Sequence, residues 1–264
     1  MVTEKNRKRY TGIILCVVSG GMDSATMLYK AQQSLLVTEG SRAGEARVEA
    51  ISFNYGQRHI KELSYASMLC KELGVRHDII DISSLRPYIG GSALTDDIEV
   101  PEGHYASESM ALTVVPNRNA IMLSIAVGIG VARQALMVGA AMHAGDHAVY
   151  PDCRPQFVKA FQRMTDVATE GFTATGSLYI WTPFIECSKT EIASEGAALG
   201  VDYSLTWSCY KGEVNHCGVC GTCVERKEAF RDSGVPDPTV YACTENNHFF
   251  SPNQRRCSCK EYKG

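Results

Sequence analysis

The amino-acid sequence predicts an α/β fold in which helices cover both faces of a parallel sheet of about five strands. Three observations support this prediction. Short apolar runs alternate with segments of helical periodicity over residues 1–200. A glycine-rich turn directly follows the first apolar run, and four cysteines are crowded into residues 209–223. We therefore expect an α/β nucleotide-binding domain over residues 1–200 and a small zinc-binding region over residues 201–264.

The composition excludes several classes of protein. The chain has 264 residues, of which 45% are hydrophobic and 21% charged, as in a globular domain. Its net charge of −3 gives no general attraction to nucleic acid, so we expect no direct nucleic-acid binding. The most apolar segment, residues 120–132, is shorter than a membrane span, and the N-terminal residues do not match a signal peptide. We expect a cytoplasmic protein without membrane contact.

The first element is a buried strand over residues 13–18, and the sequence Ser-Gly-Gly-Met-Asp-Ser follows it. Gly20 and Gly21 let the backbone turn tightly enough for its N–H groups to face an anion. A helix that begins near Asp23 adds its positive end, while Ser19 and Ser24 supply hydroxyl donors. An aspartate beside phosphate implies Mg²⁺. The pattern predicts a site for the phosphates of a nucleotide, although an ordinary strand-to-helix turn would look similar.

The remaining elements follow in alternation. Residues 83–110, rich in Ser, Gly, Asp and Glu, are expected to form a long loop that covers the site. Ser188 and Glu191 form a capping box that starts the last helix of the α/β domain, and Gly200 ends it. The further predicted elements are strands over 48–53, 75–82, 135–140 and 178–182 and helices over 60–73, 117–133 and 156–168.

Polar residues follow the predicted strands at their carboxyl ends, where parallel sheets bind ligands. After the second strand we expect Tyr55, Gln57 and Arg58 to contact ATP, although Arg58 and His59 could equally be a polar helix start. Arg118 and Asn119 open an apolar helix and need partners, so they bind either the covering loop or ligand oxygens. Of the two, Asn119 is assigned to ATP and Arg118 to the substrate.

A second polar group follows the fourth strand. Here Asp146, Asp152 and Arg154 are expected to bind substrate, because carboxylates accept hydrogen bonds from a guanidine-like ring edge and arginine pairs with a carboxylate. Zinc binding by His143, Asp146 and His147 is the alternative. Cys153 lies in the same group as a candidate nucleophile, but cysteines without an activating base are more often bystanders.

The spacing Cys209-x7-Cys217-x2-Cys220-x2-Cys223 is typical of a tetrahedral zinc site. Four thiolates leave no open position for water, so the expected role of the zinc is structural. Gly218 and Gly221 are expected to supply the unusual backbone angles of the two turns, and His216 is expected not to be a ligand. Redox chemistry at one Cys-x-x-Cys pair is the alternative.

Five motifs resemble those of known proteins. The glycine turn resembles the pyrophosphate loop of the ATP pyrophosphatase superfamily. Together the motifs resemble the QueC family of 7-cyano-7-deazaguanine synthases over about residues 12–230. They are Ser19–Ser24, Asn54–His59, Val115–Asn119, Tyr150–Arg154 and Trp207–Cys223.

The resemblance implies a Rossmann-like fold of the PP-loop ATPase type and an ATP-dependent ligase. This enzyme would convert 7-carboxy-7-deazaguanine and ammonia to 7-cyano-7-deazaguanine through an adenylated carboxylate and an amide. A homodimer and structural zinc are also implied. Lys189 would assist at the phosphates with the glycine turn, and the implied catalytic residues are Asp23, Ser24 and Lys189.

Three alternatives stay open. A relative could conjugate the deazaguanine to another amine, for instance on a protein, and a second relative could thiolate tRNA. The third alternative is a zinc-ribbon adaptor without catalysis. The tail after about Arg231 lies outside the resemblance, and its Cys243, Cys257, Cys259 and His248 could form a second metal site or be surface groups.

Overall fold

A five-stranded sheet runs through the centre of the protein in the order β3-β2-β1-β4-β5, and its neighbouring strands are all parallel. The computed structural model describes residues 12–35, 46–103, 108–173 and 176–242. The strands are β1 (Ile13–Val17), β2 (Arg47–Asn54), β3 (Arg76–Asp81), β4 (Ala135–Gly139) and β5 (Tyr179–Trp181). The predicted α/β class and the five predicted strands are confirmed, with the glycine turn after the central strand.

Helices connect the strands, as the alternating pattern predicts. The α-helices of the described residues are α1 (Met22–Ser34), α2 (Glu62–Glu72), α3 (Arg118–Ala132), α4 (Pro155–Ala168), α5 (Lys189–Leu199) and α6 (Gly221–Ser233). The capping box of α5 is present, and Gly200 ends this helix in the left-handed conformation. Each of these signals is local, which explains why the sequence predicts the helix ends well.

The core lies on both faces of the sheet, because alternate residues of a strand point to opposite sides. On one face Ile14 and Cys16 belong to a buried cluster with residues of α1, α2, α5 and α6. On the other face Ile13 and Leu15 join Leu123 of α3 and residues of α4. The sheet is therefore covered on both sides, and its carboxyl edge stays available for a site.

Helix α3 corrects one expectation. By length and composition alone, Met110–Ala132 is apolar and long enough to cross a membrane, and it is the one such segment among the described residues. It consists of a short 3-10 helix (Glu108–Thr113) and α3, separated by the turn around Pro116. Leu123, Ala126 and Val127 of α3 are buried against the sheet. These residues join the core, whereas the rest of the segment is only partly buried within one copy of the chain.

The long loop predicted over residues 83–110 contains more structure than expected. It begins with a 3-10 helix at Ser83–Tyr88, and Ser92 and Thr95 are completely buried. Leu94 packs with Tyr55 and Val115. Residues 104–107 lie outside the described chain. The described part of this segment is therefore packed into the fold behind Tyr55, and none of its residues lines the cavity at the carboxyl ends of the strands.

The C-terminal region packs against the α/β core. Ala229 and Phe230 of α6 are buried in the same cluster as β1 and α1. Gly218 has a φ of 77°, as predicted, but Gly221 is the first residue of α6 and is not in the left-handed region, so that expectation was wrong. The tail groups Cys243, His248, Cys257 and Cys259 lie outside the described residues, and the division at residue 200 stays a prediction.

Candidate active site and metal centre

The glycine turn lies between the central strand and α1. Gly20 has a φ of 91°, and a Cβ atom there would lie 2.2 Å from the carbonyl oxygen of Glu62. Both facts require glycine, so α2 can pack directly against the turn. Ser24 Oγ accepts a hydrogen bond from the backbone N–H of Ser19 at 3.2 Å and donates one to the carbonyl oxygen of Gly21 at 3.0 Å. The turn is thus held in one conformation by its own side chains.

Charged groups surround Asp23 in the first turn of α1. Lys189 Nζ lies 3.0 Å from Asp23 Oδ2 and 2.8 Å from Glu225 Oε2. Burial alone would lower the pKa of Lys189, but the two carboxylates raise it, so the amine stays charged. His143 Nε2 is 3.3 Å from the same amine. The second oxygen of Asp23, Oδ1, is buried and has no hydrogen-bond partner, which suits a cation ligand.

Aromatic side chains gather around Arg118, which lies at the start of α3. Its guanidinium carbon is 5.7 Å from the ring centroid of Tyr55 and 5.9 Å from that of Tyr150. The guanidinium also donates a 3.4 Å hydrogen bond to Tyr55 Oη. Burial raises the pKa of both Tyr55 and Tyr210, so these hydroxyls stay protonated. The arrangement offers flat apolar faces and one fixed positive charge.

The glycine turn and this aromatic pocket line a single cavity at the carboxyl ends of β1, β2 and β4. Most of the predicted site residues are brought together there. The predicted residues that line the cavity are Ser19, Gly21, Asp23, Ser24, Tyr55, Arg118, Asn119, Asp146 and Lys189. Gly20 shapes the turn from behind. Sequence positions up to 170 residues apart thus meet because parallel strands end at one edge.

Besides Gly20, four predicted residues do not line the cavity. The Arg58 guanidinium donates to the carbonyl oxygen of Ile98, and Arg154 Nε donates to that of His147 at 2.8 Å. Asp152 Oδ2 accepts the backbone N–H of Asn119 at 2.9 Å. For these three and Gln57 we therefore propose no direct ligand contact.

The buried Gln57 carboxamide is instead part of a polar group around Glu62. Gln57 Nε2 donates to Glu62 Oε1 at 3.0 Å, and His59 Nε2 lies 3.5 Å from Glu62 Oε2. Burial raises the pKa of Glu62 to about 7, whereas Gln57 and the charge of Arg118 lower it. Burial lowers the pKa of His59 to about 3, so the imidazole is neutral. Both side chains line the cavity.

The structure bears on two alternatives from the sequence, Cys153 as a nucleophile and a zinc site at His143, Asp146 and His147. Asn119 Nδ2 lies 3.1 Å from Cys153 Sγ, and burial raises the pKa of this thiol. A protonated thiol is a poor nucleophile, which favours the bystander interpretation. In the described chain, the one group of at least three candidate metal ligands is the cysteine cluster, so His143, Asp146 and His147 do not form such a group.

The cavity residues Glu62 and Tyr210 carried no assignment from the sequence, and neither did Glu225, which contacts Lys189 but does not line the cavity. Glu62 lies three positions after His59, in the motif that was singled out, and Tyr210 follows the first cysteine of the zinc pattern. Their closeness to these two motifs is a sequence signal that marks both residues as candidates. Glu225 lies on α6 with no local pattern to mark it, and only the packing of α6 beside α5 brings it to Lys189.

The four cysteines converge on one point. Their sulfur atoms all lie within 4.8 Å of one another, and all four residues are buried. The backbone N–H groups of Cys217 and Cys220 are 3.3 Å from the sulfurs of Cys209 and Cys217, which favours thiolates. His216 Nε2 accepts the N–H of Ser208 at 3.1 Å, in agreement with the prediction that it is not a ligand. The donor set suits a closed zinc site.

The cysteine cluster is joined to the glycine turn by hydrogen bonds of its flanking residues. The backbone N–H of Trp207, two residues before Cys209, donates to the carbonyl oxygen of Gly20 at 2.8 Å. Thr222 Oγ1, from the first turn of α6, donates to the carbonyl oxygen of Ser208 at 2.7 Å, and both residues line the cavity. One hydrogen bond thus connects the residues next to the cysteine cluster to the glycine turn, and the other fixes two residues of the cavity wall.

Comparisons with known proteins agree with this geometry. The sequence model of the family described as "Queuosine biosynthesis protein QueC" matches residues 13–234. The 7-cyano-7-deazaguanine synthase of Rhizobium johnstonii is 48% identical over 253 residues, which cover 95% of this chain and 99% of that protein. The 7-cyano-7-deazaguanine synthase of Alteromonas mediterranea is 52% identical over 228 residues, which cover 86% and 98%.

Among solved structures, the U34-tRNA thiolase NcsA from Methanococcus maripaludis was compared with this chain. It matches with a TM-score of 0.43 and 14% identity, covering 88% of this chain and 70% of that one. The sequence relatives are far more similar, and they span nearly their whole length. With its five ordered motifs, this chain belongs to the QueC family of queuosine biosynthesis proteins.

Proposed function

We propose that this protein is an ATP-dependent carbon–nitrogen ligase that converts 7-carboxy-7-deazaguanine and ammonia to 7-cyano-7-deazaguanine. One observation carries the proposal: a glycine turn suited to phosphate and an aromatic pocket around the half-buried Arg118 line the same cavity. Such a cavity holds a nucleotide and a flat acid side by side. The family membership supplies the substrate and the product.

The chemistry requires activation of a carboxylate, which is a poor electrophile. Transfer of AMP from ATP to a carboxylate oxygen gives an acyl adenylate and releases pyrophosphate. Attack by ammonia displaces AMP and gives the amide. A second transfer of AMP, to the amide oxygen, again releases pyrophosphate; that oxygen then leaves with AMP, the nitrogen loses both protons, and the nitrile forms. The protein's task in each half is to hold the reactants together and to stabilise charge on the phosphates.

We assign the phosphate end to the glycine turn, with Ser19, Gly20, Gly21 and Ser24 around the phosphates. Asp23 fits a Mg²⁺ ligand, because its Oδ1 atom is buried without a partner beside hydroxyls and N–H groups that suit phosphate. When bound, Mg²⁺ would neutralise charge on the pyrophosphate leaving group. Lys189, held by Asp23 and Glu225, is positioned to approach the phosphates as a fixed positive charge.

We assign the aromatic pocket to the deazaguanine. Tyr55, Tyr150 and Tyr210 offer surfaces for a flat ring, and Arg118 offers a charge for its carboxylate. Asn119 and Asp146 line the same cavity and carry hydrogen-bonding groups for the ring edge or the nucleotide. Asp152 contributes indirectly, because it holds the N–H of Asn119 at the start of α3.

We propose zinc for the cysteine cluster, with a structural role. The four buried sulfurs form a complete tetrahedral donor set, which leaves no position for a substrate. The hydrogen bond from Trp207 to Gly20 supports the view that this metal stabilises the phosphate end.

The decisive experiment is a reaction of purified protein with ATP, Mg²⁺, ammonium and 7-carboxy-7-deazaguanine, followed by mass spectrometry. We expect the nitrile, together with AMP and pyrophosphate. Unchanged acid without AMP release would contradict the proposal. Transfer of the deazaguanine to an added protein amine, with no nitrile, would favour the conjugating relative instead.

We also propose a cytoplasmic homodimer. In the most apolar window of Met110–Ala132 only 33% of the residues are buried within one chain, which is consistent with a second copy covering part of this segment. Light scattering coupled to size-exclusion chromatography is expected to give twice the chain mass of 28.8 kDa. A stable monomer at micromolar concentration would refute the dimer and leave the catalytic proposal unaffected.

A further inference from the structure

Glu62 is a carboxylate of the cavity to which the reaction described above gives no role. It is the first residue of α2, and its backbone carbonyl packs against Gly20 of the phosphate turn. Its side chain lines the cavity together with Tyr55 and Arg118. Glu62 therefore lies beside the phosphate end and the substrate pocket at once, near the place where an acyl adenylate would have its reacting bond.

The surroundings of Glu62 differ from those of Asp23. Lys189 lies 3.0 Å from Asp23. The nearest polar partners of Glu62 are a neutral amide, Gln57 at 3.0 Å, and the neutral imidazole of His59 at 3.5 Å. No lysine or arginine nitrogen of the described chain lies within 4 Å of the Glu62 carboxylate. The carboxylate is thus held by neutral partners without a direct ion pair, and the charge of Arg118 acts on it only from a greater distance.

His59 adds a second observation that points to a ligand. Its side chain is 4% exposed, and its Nδ1 atom is buried without a hydrogen-bond partner. The ring packs at 5.2 Å from that of Tyr210, which keeps its orientation. Buried polar atoms usually have partners, so a small donor bound in the cavity is the simplest explanation. Ammonia and ammonium are small enough for the site, and their N–H groups can donate both to a carboxylate oxygen and to an imidazole nitrogen.

We propose that Glu62 binds the incoming nitrogen nucleophile, with His59 as its neighbour, and accepts a proton from it during amide formation. This inference rests on the proposed function and names the group that performs its second step. Gln57 is then a positioning residue, because it holds Glu62 Oε1 and does not reach the cavity itself.

The step balances as follows. The lone pair of ammonia forms a bond to the acyl carbon of the adenylate, and the nitrogen becomes positively charged. The Glu62 carboxylate takes one N–H proton. The bond between the acyl carbon and the phosphate oxygen breaks, and its electron pair leaves with AMP, giving the amide. The pKa of about 7 at Glu62, raised by burial, suits a group that takes up and releases a proton near neutral pH.

The experiment separates adenylation from nitrogen transfer with Glu62→Gln, which keeps the shape and removes the basic oxygen. Adenylation is measured without ammonium, as the exchange of labelled pyrophosphate into ATP that depends on added 7-carboxy-7-deazaguanine. Nitrogen transfer is measured as amide plus nitrile under varied ammonium. We expect exchange within about threefold of the wild type, whereas kcat/KM for ammonium falls about 100-fold, the usual range for loss of a general base.

Glu72→Gln is the matched control, since it is the same change at the exposed last residue of α2. It is expected to leave both rates unchanged. Glu62→Asp retains a carboxylate and is expected to recover part of the nitrogen transfer. If Glu62→Gln does not fold, exchange and nitrogen transfer are compared in Glu62→Asp instead.

Two results would overturn the inference. Parallel loss of exchange and nitrogen transfer would show that Glu62 supports the phosphate turn, and normal kcat/KM for ammonium would show that it has no role in proton transfer. Failure of the proposed function is recognised separately, because the wild-type protein itself would then form neither amide nor nitrile.

Discussion

The cavity and the cysteine cluster both contain buried polar groups, but they differ in whether these groups have partners within the protein. At the cysteine cluster every sulfur faces the other three, and the backbone N–H groups complete the surroundings. In the cavity, Asp23 Oδ1 and His59 Nδ1 are buried without partners. One centre is satisfied once a single ion is bound, whereas the other leaves acceptors that only ligands can satisfy.

This difference teaches how the protein separates stability from chemistry. A closed thiolate site contributes its binding free energy to folding, because the unfolded chain does not present the four ligands together. The open cavity keeps charges and acceptors that cost stability and become useful when substrate arrives. The two are coupled through the Trp207 to Gly20 hydrogen bond, so loss of the metal is expected to reach the phosphate end.

The largest expected effect is that of Cys220→Ser. Loss of one of four thiolates should release the metal and destabilise the fold by about 3 kcal/mol or more, because a structural zinc contributes directly to folding. Metal analysis and thermal unfolding of the purified variant measure both effects. Cys187→Ser, at a half-buried cysteine outside the cluster, is the control. A metal-free Cys220→Ser protein as stable as the wild type would show that metal binding at the cysteine cluster does not contribute to folding.

Next in size is Asp23→Asn, which is expected to lower kcat about 1000-fold and to leave the melting temperature within a few degrees. The fold should survive because Glu225 stays 2.8 Å from Lys189 and keeps that amine paired. ATP–pyrophosphate exchange and calorimetry measure the two quantities. Asp232→Asn, at an exposed position in α6, should change neither. Turnover near the wild-type rate would remove Asp23 from the phosphate end.

A smaller effect is expected for Gly20→Ala. The new Cβ would lie 2.2 Å from the Glu62 carbonyl oxygen in a left-handed backbone conformation, so α2 must move away from the turn. We expect a loss of about 2 kcal/mol or more in the free energy of unfolding, together with weaker ATP binding. Gly74→Ala measures the cost of the left-handed backbone conformation alone, because Gly74 has a φ of 63° and nothing lies within 4 Å of its Cβ position. Equal losses in the two variants would show that the contact with α2 is unimportant.

The smallest effect is expected at the start of α5. Ser188 caps this helix and accepts the N–H of Glu191 at 3.3 Å, so Ser188→Ala should cost about 1 kcal/mol of stability. Lys189 is the next residue, and a frayed first turn would loosen its contact with Asp23. Chemical denaturation and the KM for ATP report the two consequences. Ser194→Ala, on the exposed side of the same helix, is the control. A change in KM with unaltered stability would mean that Ser188 itself touches the nucleotide.

The sequence predicts the elements well because their signals are local. The apolar runs mark the strands, the capping box marks α5, and the glycine turn and the cysteine spacing mark two sites before any fold is known. These patterns depend on residues a few positions apart. Where they were misjudged, as for Gly221 and the partly buried segment 83–103, the deciding contacts come from elsewhere in the chain.

The sequence alone determined the α/β class, the glycine turn after the first strand, the spacing of the four cysteines and the family, because each is written in short ordered motifs. Only the tertiary structure decided which polar residues face the cavity. It assigned Arg58 and Arg154 to backbone carbonyls and brought Glu225 to Lys189. It also placed Glu62 between the phosphate turn and the aromatic pocket. The physical reason is that a side chain's partner depends on how helices pack on the sheet, and no local pattern records that packing.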